Sequence, residues 1–241
     1  YILGLSLGIL STASLSKNNK ILYSASEERF TKIKNDESYP INAINFVLKE
    51  ADIKGKDVYK VVIAGKNLNL NTHLMNKYSK WSLEDHFKVM NDYWKPKLIN
   101  KTYVNFKKLF KTKINTNQYP GKTEWNKLIN KISNDYEDRK NDHYYLDFIH
   151  KTISNHLKIN KNKITHLDHH FCHASYAYWA SPIRNKKTLI LTADAFGDGL
   201  STTVYKANKN NKIIFLESSK ADDFQLGRYY RNITLLLSMM P

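Results

Sequence analysis

The feature that most constrains the fold of this chain is a pattern of three short segments that occurs twice. The segments are Ile2–Gly8, Ser11–Ser14 and Asn18–Ile21 in the first copy, and Leu189–Asp194, Gly197–Thr203 and Asn210–Ile213 in the second. Ser11 aligns with Ser201 at an offset of 190 residues, and the Asn-Asn-Lys-Ile segments align at an offset of 192. The repeat predicts two related units, each of three strands joined by tight turns. Because lysine and asparagine are frequent throughout, a chance match is the alternative.

Hydrophobic patterning around the repeat predicts an α/β protein. The predicted strands are Tyr1–Leu7, Ala13–Lys17, Ile21–Ser26, Val58–Ala64, Ile164–Leu167, Lys187–Ala193, Ser201–Lys206 and Lys212–Ser218. Helices are predicted from Pro40 to Ala51 and over Gln225–Leu237. A further helix is predicted over 169–180, with Asp168 as its N-terminal cap and Pro182 as its end.

Residues 66–160 differ in composition, with few glycines or prolines and many aromatic residues. Helical spacing of apolar residues occurs at three places there: Phe106, Leu109 and Phe110; Leu128, Ile129 and Ile132; and Phe148, Ile149 and Ile153. We therefore predict a helical insertion of several segments, interrupted at Pro96 and at Pro120-Gly121.

The composition bounds the class of protein. A chain of 241 residues, with 41% hydrophobic and 25% charged residues, can bury a sizeable core as one large or two small domains. The single cysteine, Cys172, excludes a disulfide framework and favours a reducing compartment. No apolar run approaches the ~20 residues of a membrane span, so we expect a cytoplasmic protein without a membrane partner. The chain starts at Tyr1 rather than Met and stops at Pro241 after a helical pattern, so we expect a fragment.

The chain is strongly basic, with 38 Lys and Arg against 22 Asp and Glu, for a net charge of +16. Residues 101–163 hold 14 of these basic residues and 6 acidic ones. A nucleic-acid-binding surface is one interpretation. The other is a lysine- and asparagine-rich composition displayed on solvated helix faces, which the scarcity of arginine favours.

A cluster of histidines indicates a metal site. His169 and His173 are four residues apart, so both side chains share one face of the predicted helix and can reach one ion. Asp194 ends a predicted strand and is the candidate third ligand, while His166 and His170 lie beside the pair. Imidazole suits iron, zinc, nickel and copper. Two hydrogen-bonded surface histidines without a metal are the alternative.

The two predicted turns are candidate phosphate-binding loops. Four of the eight glycines fall in the repeat: Gly4, Gly8, Gly197 and Gly199. Small residues in such turns let backbone N–H groups approach phosphate oxygens closely. The candidate nucleotide- or phosphate-binding residues are Ser11, Thr12, Ser14, Gly197, Asp198, Gly199 and Ser201.

Several stretches together resemble the O-carbamoyltransferase family, whose members modify nodulation factors and antibiotics. They are Ile2–Gly8 with Ala13-Ser14, Glu27–Lys34, the Tyr39-Pro40 helix start, His169–Tyr178, Asp194–Asp198 and Leu226–Tyr230. The resemblance covers both ends of the chain but not residues 66–160. It implies an actin-like, sugar-kinase-type (ribonuclease H-like) fold with duplicated subdomains. Residues 1–186 would then be the first subdomain, containing the insertion, and 187–241 the truncated start of the second.

The resemblance also implies a reaction. Family members use ATP and carbamoyl phosphate to make carbamoyl-adenylate, and then transfer the carbamoyl group to a hydroxyl of a small molecule. Carried over, His169, His173 and Asp194 would bind iron or a similar divalent metal, such as zinc, beside the nucleotide phosphates. We assign catalytic roles to Asp194 and His170, and carbamoyl or anion binding to Arg29 and Lys34.

Departures from the family pattern leave other functions open. Ser11-Thr12 stand where the family has His-Asp, and Asp198 replaces a glutamate. Later segments of the family, including much of the nucleotide site, are not in this sequence, so we expect the chain alone to be inactive. One alternative is a nucleic-acid-associated relative, such as a tRNA threonylcarbamoyl-transferase-like protein. Another is a degenerate, non-catalytic module that binds a nucleotide or a metal.

Overall fold

The structure is a computed structural model that describes residues 1–8, 10–66, 82–110, 142–221 and 226–239. The chain divides into two compact units. The first unit comprises Tyr1–Leu68 and Asp147–Ser219, and the second comprises Asn69–Leu146 and Lys220–Pro241. Strands and helices alternate along the described residues, which confirms the predicted mixed α/β class.

The first unit contains a five-stranded mixed sheet. Its strands are β1 (Ile2–Ser6), β2 (Thr12–Lys17), β3 (Lys20–Ser26), β4 (Lys60–Ala64) and β5 (Ile164–Leu167), in the order β3-β2-β1-β4-β5. The first three strands form an antiparallel meander, and β4 and β5 add to it in parallel. Alternate residues are buried, as in Leu3 and Leu5 of β1 and Val61 and Ile63 of β4. This alternation gives the sheet an apolar face.

Local chemistry explains how the first meander joins the helix that follows. Asn18 and Asn19 both have positive φ, which suits the two-residue turn closing β2 onto β3. After the short helix α1 (Glu28–Thr31), helix α2 (Ile41–Glu50) begins at Ile41, one residue later than predicted, with Pro40 at the capping position. The buried Glu27 carboxylate accepts hydrogen bonds from the backbone N–H groups of Asn42 and Ala43 at 3.2 and 2.9 Å. Glu27 therefore stabilises the N-terminus of α2 in place of a capping residue.

A three-stranded sheet, also in the first unit, repeats the arrangement of the meander. It consists of β6 (Thr188–Gly197), β7 (Leu200–Ala207) and β8 (Ile213–Lys220), in the order β6-β7-β8. Strands β6 and β7 are antiparallel. The helix over His169–Ala180 covers one face of this sheet, with a core of Ala174, Tyr178, Ile190, Tyr205 and Ala207.

The other described elements are helical, and those from Leu83 to Leu157 lie in the stretch predicted as an insertion, which itself stays a prediction. They are α3 (Leu83–Lys88), a π-helix (Val89–Trp94), α4 (Lys95–Leu98), α5 (Phe106–Leu109), α6 (Asp142–Leu157), α7 (His169–Ala180) and α8 (Leu226–Leu236), with 3₁₀-helices at Gly55–Asp57 and Lys161–Lys163. The predicted interruption at Pro96 is wrong, because the chain stays helical there. A π-helical turn directly precedes α4, and its wider hydrogen bonding accommodates a proline, which lacks an N–H donor.

Other expectations fall outside what the structure describes. The helical spacing at Leu128, Ile129 and Ile132 and the break at Pro120-Gly121 lie outside the described residues. The subdomain boundary at residues 186 and 187 stays a prediction. Within the described ranges, no helix combines the length and hydropathy that crossing a membrane requires.

Candidate metal centre

Three side chains with metal-ligating groups meet where helix α7 begins and strand β6 ends. The Asp168 carboxylate accepts a hydrogen bond from the Phe171 backbone N–H at 2.9 Å, so the predicted cap fixes the start of α7. One helical turn then places the rings of His169 and His173 on the same face, with ring centroids 4.6 Å apart. Asp194 reaches the same place from β6.

The three ligand atoms are close together and accessible from solvent. His169 Nε2 lies 2.6 Å from Asp194 Oδ2 and 3.0 Å from His173 Nε2. His173 Nε2 lies 3.5 Å from the same carboxylate oxygen. The side chains of His169 and Asp194 are each 32% exposed, and that of His173 is 55% exposed. Among the described residues, these three form the group of His, Cys, Asp and Glu side chains suited to one ion.

The electrostatics of the group follow from the shared carboxylate. The hydrogen bond from His169 holds the pKa of Asp194 well below its usual range. The same hydrogen bond raises the pKa of His169, although partial burial opposes the effect. Burial lowers the pKa of His173, and the charge of His169 adds to this decrease. The arrangement therefore favours an ionised carboxylate beside one neutral imidazole and one imidazole that can take up a proton. A bound cation can replace that proton as the positive partner of the carboxylate.

The donor set fits a divalent metal. Two imidazole nitrogens and one carboxylate oxygen are ligands that zinc and iron both accept. Ligand atoms about 2.0–2.2 Å from zinc lie at most about 4.4 Å apart. The three separations of 2.6, 3.0 and 3.5 Å are within that limit. The chemistry and the separations of the three ligand atoms are therefore compatible with one shared ion.

Two of the predicted phosphate-binding residues of the second turn, Gly197 and Asp198, contact the candidate metal ligand His169. The Asp198 carboxylate accepts hydrogen bonds from the backbone N–H of His169 at 2.7 Å and from that of Lys66 at 2.9 Å. Gly197 lies against the His169 ring, and a Cβ atom there would be 2.6 Å from its Cγ. Asp198 and Gly199 both have positive φ, as a two-residue hairpin turn requires. Ser201 is buried, and its hydroxyl donates to the Ser219 carbonyl at 3.4 Å.

His170, to which we assigned a catalytic role, is buried between α7 and the strands β6 and β7, with its ring centroid 5.4 Å from that of His169. Its ring is fully buried, with Nδ1 2.7 Å from the Thr192 hydroxyl and Nε2 3.1 Å from the Leu200 carbonyl. Thr192 also contacts the buried hydroxyl of Thr203 at 2.6 Å. Because both ring nitrogens have partners, this geometry describes a residue that holds α7 against β6 and β7. The sequence did not distinguish a catalytic role from a structural role for His170, because this residue lies in the same short motif as His169 and His173.

The first turn of the repeat uses its polar groups internally. Ser11 is fully buried, its backbone N–H donates to the Asp36 carbonyl at 2.9 Å, and its hydroxyl donates to the Gly8 carbonyl at 3.2 Å. The Thr12 hydroxyl donates to the Leu10 carbonyl at 2.8 Å. Ser14 contacts the Ser24 hydroxyl at 2.7 Å on the exposed part of the meander. These contacts leave Ser11 without a group to offer to a phosphate.

The two candidate anion-binding residues line different cavities. Arg29 lines a cavity of about 530 Å³ together with Thr12 and the aromatic pair Phe30 and Phe46, whose ring centroids are 5.7 Å apart. Lys34 lines another, of about 520 Å³, whose lining includes Lys32, Leu10 and Glu28. The sequence predicted a single anion site for these two residues, whereas Arg29 lies in the short helix α1 and Lys34 follows that helix.

The described fold and site define a mixed α/β protein with a His-His-Asp cluster at the edge of a sheet. A family model described as the carbamoyltransferase N-terminus matches residues 2–240. The chain therefore belongs to the carbamoyltransferase family and corresponds to its N-terminal region. This confirms the family that the sequence motifs indicated.

The relatives that match this sequence are much longer proteins than this chain. The uncharacterized protein MJ1051 of Methanocaldococcus jannaschii is 26% identical over 240 residues, covering 100% of this chain and 30% of that protein. The uncharacterized protein MJ1058 of the same organism is 29% identical over 192 residues, covering 76% and 29%. The uncharacterized protein sll1178 of Synechocystis sp. is 35% identical over 97 residues, covering 39% and 16%. The chain thus spans less than a third of the length of these relatives.

Proposed function

We propose that this chain is the metal- and phosphate-binding part of an enzyme that transfers a carbamoyl group to a hydroxyl of a small molecule. The observation that supports the proposal is the convergence of His169, His173 and Asp194, in a chain of the carbamoyltransferase family. The whole protein would make carbamoyl-adenylate from ATP and carbamoyl phosphate. The acceptor would be a sugar-like or other secondary-metabolite hydroxyl.

The fold proposed for the whole protein is actin-like, with two related subdomains. The matching strand orders β3-β2-β1 and β8-β7-β6 support this proposal. The antiparallel pairing at the start of each sheet also matches. In such a fold the two meanders face a shared nucleotide site, so the turns Ser11–Ser14 and Gly197–Ser201 are the proposed edges of that site.

In the proposed mechanism, the residues of this chain hold and orient the reacting groups. A divalent metal, iron or zinc, would supply Lewis-acid stabilisation of charge on phosphate and carbonyl oxygens. His169 and His173 present their Nε2 atoms from a rigid helix, and Asp194 adds a fixed negative charge. Arg29, which is exposed and lines a cavity together with Thr12, is the group proposed to bind an anionic part of the substrate.

The test is the metal content of the purified protein, measured by elemental analysis. We expect roughly one iron or zinc per chain, and its loss in the double variant His169→Ala/His173→Ala. The chain supplies a matched control in His150 and His166, whose Nε2 atoms lie 2.9 Å apart. The variant His150→Ala/His166→Ala is expected to retain the metal. Equal metal content in both double variants, or none in the wild type, contradicts the proposed site.

Nucleic-acid binding is the second candidate function, because of one basic surface. A groove of about 650 Å³ is lined by four lysines: Lys49, Lys54, Lys56 and Lys158. Binding to phosphates through these ammonium groups predicts that the affinity for RNA falls steeply with salt concentration. Titration of a structured RNA at several salt concentrations tests this candidate function, with a variant in which the four lysines are replaced by glutamine as the comparison.

A degenerate module, in contrast, would bind metal and nucleotide without carbamoyl transfer by the complete protein.

A further inference from the structure

The Asp198 side chain connects the candidate metal ligand His169 to a second element of the fold. Its Oδ2 atom accepts a hydrogen bond from the His169 backbone N–H at 2.7 Å. Both carboxylate oxygens lie 2.9 Å from the backbone nitrogen of Lys66, which follows the end of β4. One side chain in the β6–β7 turn therefore binds the first residue of α7 and the segment after β4.

The backbone of the turn is shaped for this contact. Asp198 has φ 51° and Gly199 has φ 86°, so the turn has positive φ at both central residues. Gly197 and Leu200 pair across the turn. Positive φ is uncommon for a residue other than glycine, although aspartate tolerates it better than most. The turn thus directs the carboxylate at the first N–H group of α7, which the helix itself leaves without a partner.

The residue before Asp198 fixes the ring of His169 from the side. A Cβ atom on Gly197 would lie 2.6 Å from both Cγ and Nε2 of His169, which is closer than non-bonded atoms approach. The backbone of β6 therefore packs directly on the imidazole. Asp194, four residues before Asp198, holds the Nε2 atom of the same ring at 2.6 Å. His169 is thus held by its Nε2 atom, by the contact of its ring with Gly197 and by its backbone N–H.

We propose that Asp198 is a positioning residue that fixes His169 for metal binding and couples the metal site to the backbone at Lys66. Asp198 acts through the backbone of His169 and does not coordinate the ion. Partners that orient ligands typically change metal affinity 10- to 100-fold when they are removed. Coupling between two sites is reciprocal, so metal binding also strengthens the hydrogen bond at Lys66. The inference rests on the proposed metal site.

The test combines two measurements on the variants Asp198→Ala and Asp198→Asn. Zinc affinity, measured by competition with a chromophoric chelator, is expected to fall about 10-fold or more in Asp198→Ala and less in Asp198→Asn. Asp57→Ala is the matched control, because the Asp57 carboxylate accepts a hydrogen bond from the Lys54 backbone N–H at 2.8 Å in another part of the first unit. This control is expected to bind zinc as the wild type does.

The second measurement is hydrogen exchange at the Lys66 amide with and without zinc. We expect zinc to slow exchange in the wild type and to have no effect on that amide in Asp198→Ala. Wild-type zinc affinity in a folded Asp198→Ala protein overturns the inference. If Asp198→Ala does not fold, wild-type affinity in Asp198→Asn together with unchanged exchange at Lys66 overturns it. Absence of zinc binding by the wild type contradicts the proposed metal site itself and is a separate result.

Discussion

Two pairs of histidines in the first unit have nearly the same separation but different surroundings. The Nε2 atoms of His169 and His173 are 3.0 Å apart, and those of His150 and His166 are 2.9 Å apart. The first pair shares the carboxylate of Asp194. In the second pair, His166 Nδ1 contacts the backbone carbonyl of Gly65 at 2.9 Å instead.

The surroundings shift the pKa values of His169 and His150 in opposite directions. The carboxylate raises the pKa of His169. Burial, and then the neighbouring His166, lower the pKa of His150. The hydrogen-bonded pair His150–His166 joins helix α6 to strand β5, whereas a pair beside an ionised carboxylate attracts a cation. The comparison teaches that proximity of two imidazoles does not by itself indicate a metal site, and that the third group decides.

The most direct test of the difference between the two histidine pairs is to remove the Asp194 carboxylate. Asp194→Asn makes the first pair resemble the second, and we expect metal affinity to fall about 100-fold or more. Attraction between unit charges 4 Å apart is about 4 kcal/mol at an effective dielectric constant of 20, and the amide loses it. Isothermal titration with zinc measures the change. An Asp147→Asn variant, which alters a carboxylate near His150 but outside the metal site, should leave the affinity unchanged.

A second prediction separates buried from exposed histidines within helix α7. His170→Ala removes a fully buried ring with two hydrogen-bond partners, so we expect the free energy of unfolding to decrease by about 3 kcal/mol. His173→Ala, at an exposed position, should change it by less than about 0.5 kcal/mol without metal. Urea unfolding in the presence of a chelator measures both. Equal destabilisation would contradict the assignment of His170 to the core.

The third prediction concerns the second pair alone. His150→Ala removes one hydrogen bond between half-buried groups, and we expect a loss of about 1 kcal/mol of unfolding free energy. We expect no change in zinc affinity, because within the part of the chain that the structure describes no carboxylate oxygen lies close enough to this pair to complete a group of three ligands. Urea unfolding and the zinc titration give the two values. A fall in zinc affinity would show that both pairs belong to one metal-binding system.

The smallest expected effect is a pH dependence. The pKa of His150 is lowered from 6.5 in the folded chain, so between the two values the unfolded chain binds more protons. Its contribution to stability is therefore fully present above pH 6.5 and decreases as the pH falls below 6.5. Thermal unfolding between pH 5 and 8 measures the slope, which His150→Gln should reduce. A slope unaffected by this substitution would assign the pH dependence to other groups, such as His156, whose pKa burial also lowers.

Much of the local structure could be predicted from the sequence. Alternating apolar residues predicted the strands to within a few residues, because a half-buried strand requires a period of two. Asp168 predicted the start of α7, since an aspartate before an apolar helix satisfies its first N–H groups. The spacing of His169 and His173 predicted that they share a face. The helix break predicted at Pro96 was wrong, because the π-helical turn before it accommodates a residue without an N–H donor.

The candidate site was predicted only in part. The sequence indicated His169, His173 and Asp194, which the structure brings together. It did not indicate the partners of Asp198 and Ser11, because each binds a backbone group from another segment, at Lys66 and at Asp36. Lys66 and Asp198 are 132 residues apart, and no local pattern records such a contact.

The sequence by itself determined the secondary structure, the repeated meander and the family, because these depend on periodicity and on short motifs. The tertiary structure alone decided which polar groups are available to a ligand. Ser11 and His170 are chemically suited to a site, but packing buries them and supplies both with internal partners. His169 and Asp194 stay accessible, because the β6–β7 turn ends the sheet beside the start of α7. Burial and hydrogen-bond partners depend on the whole fold, and these decide the chemistry of a side chain.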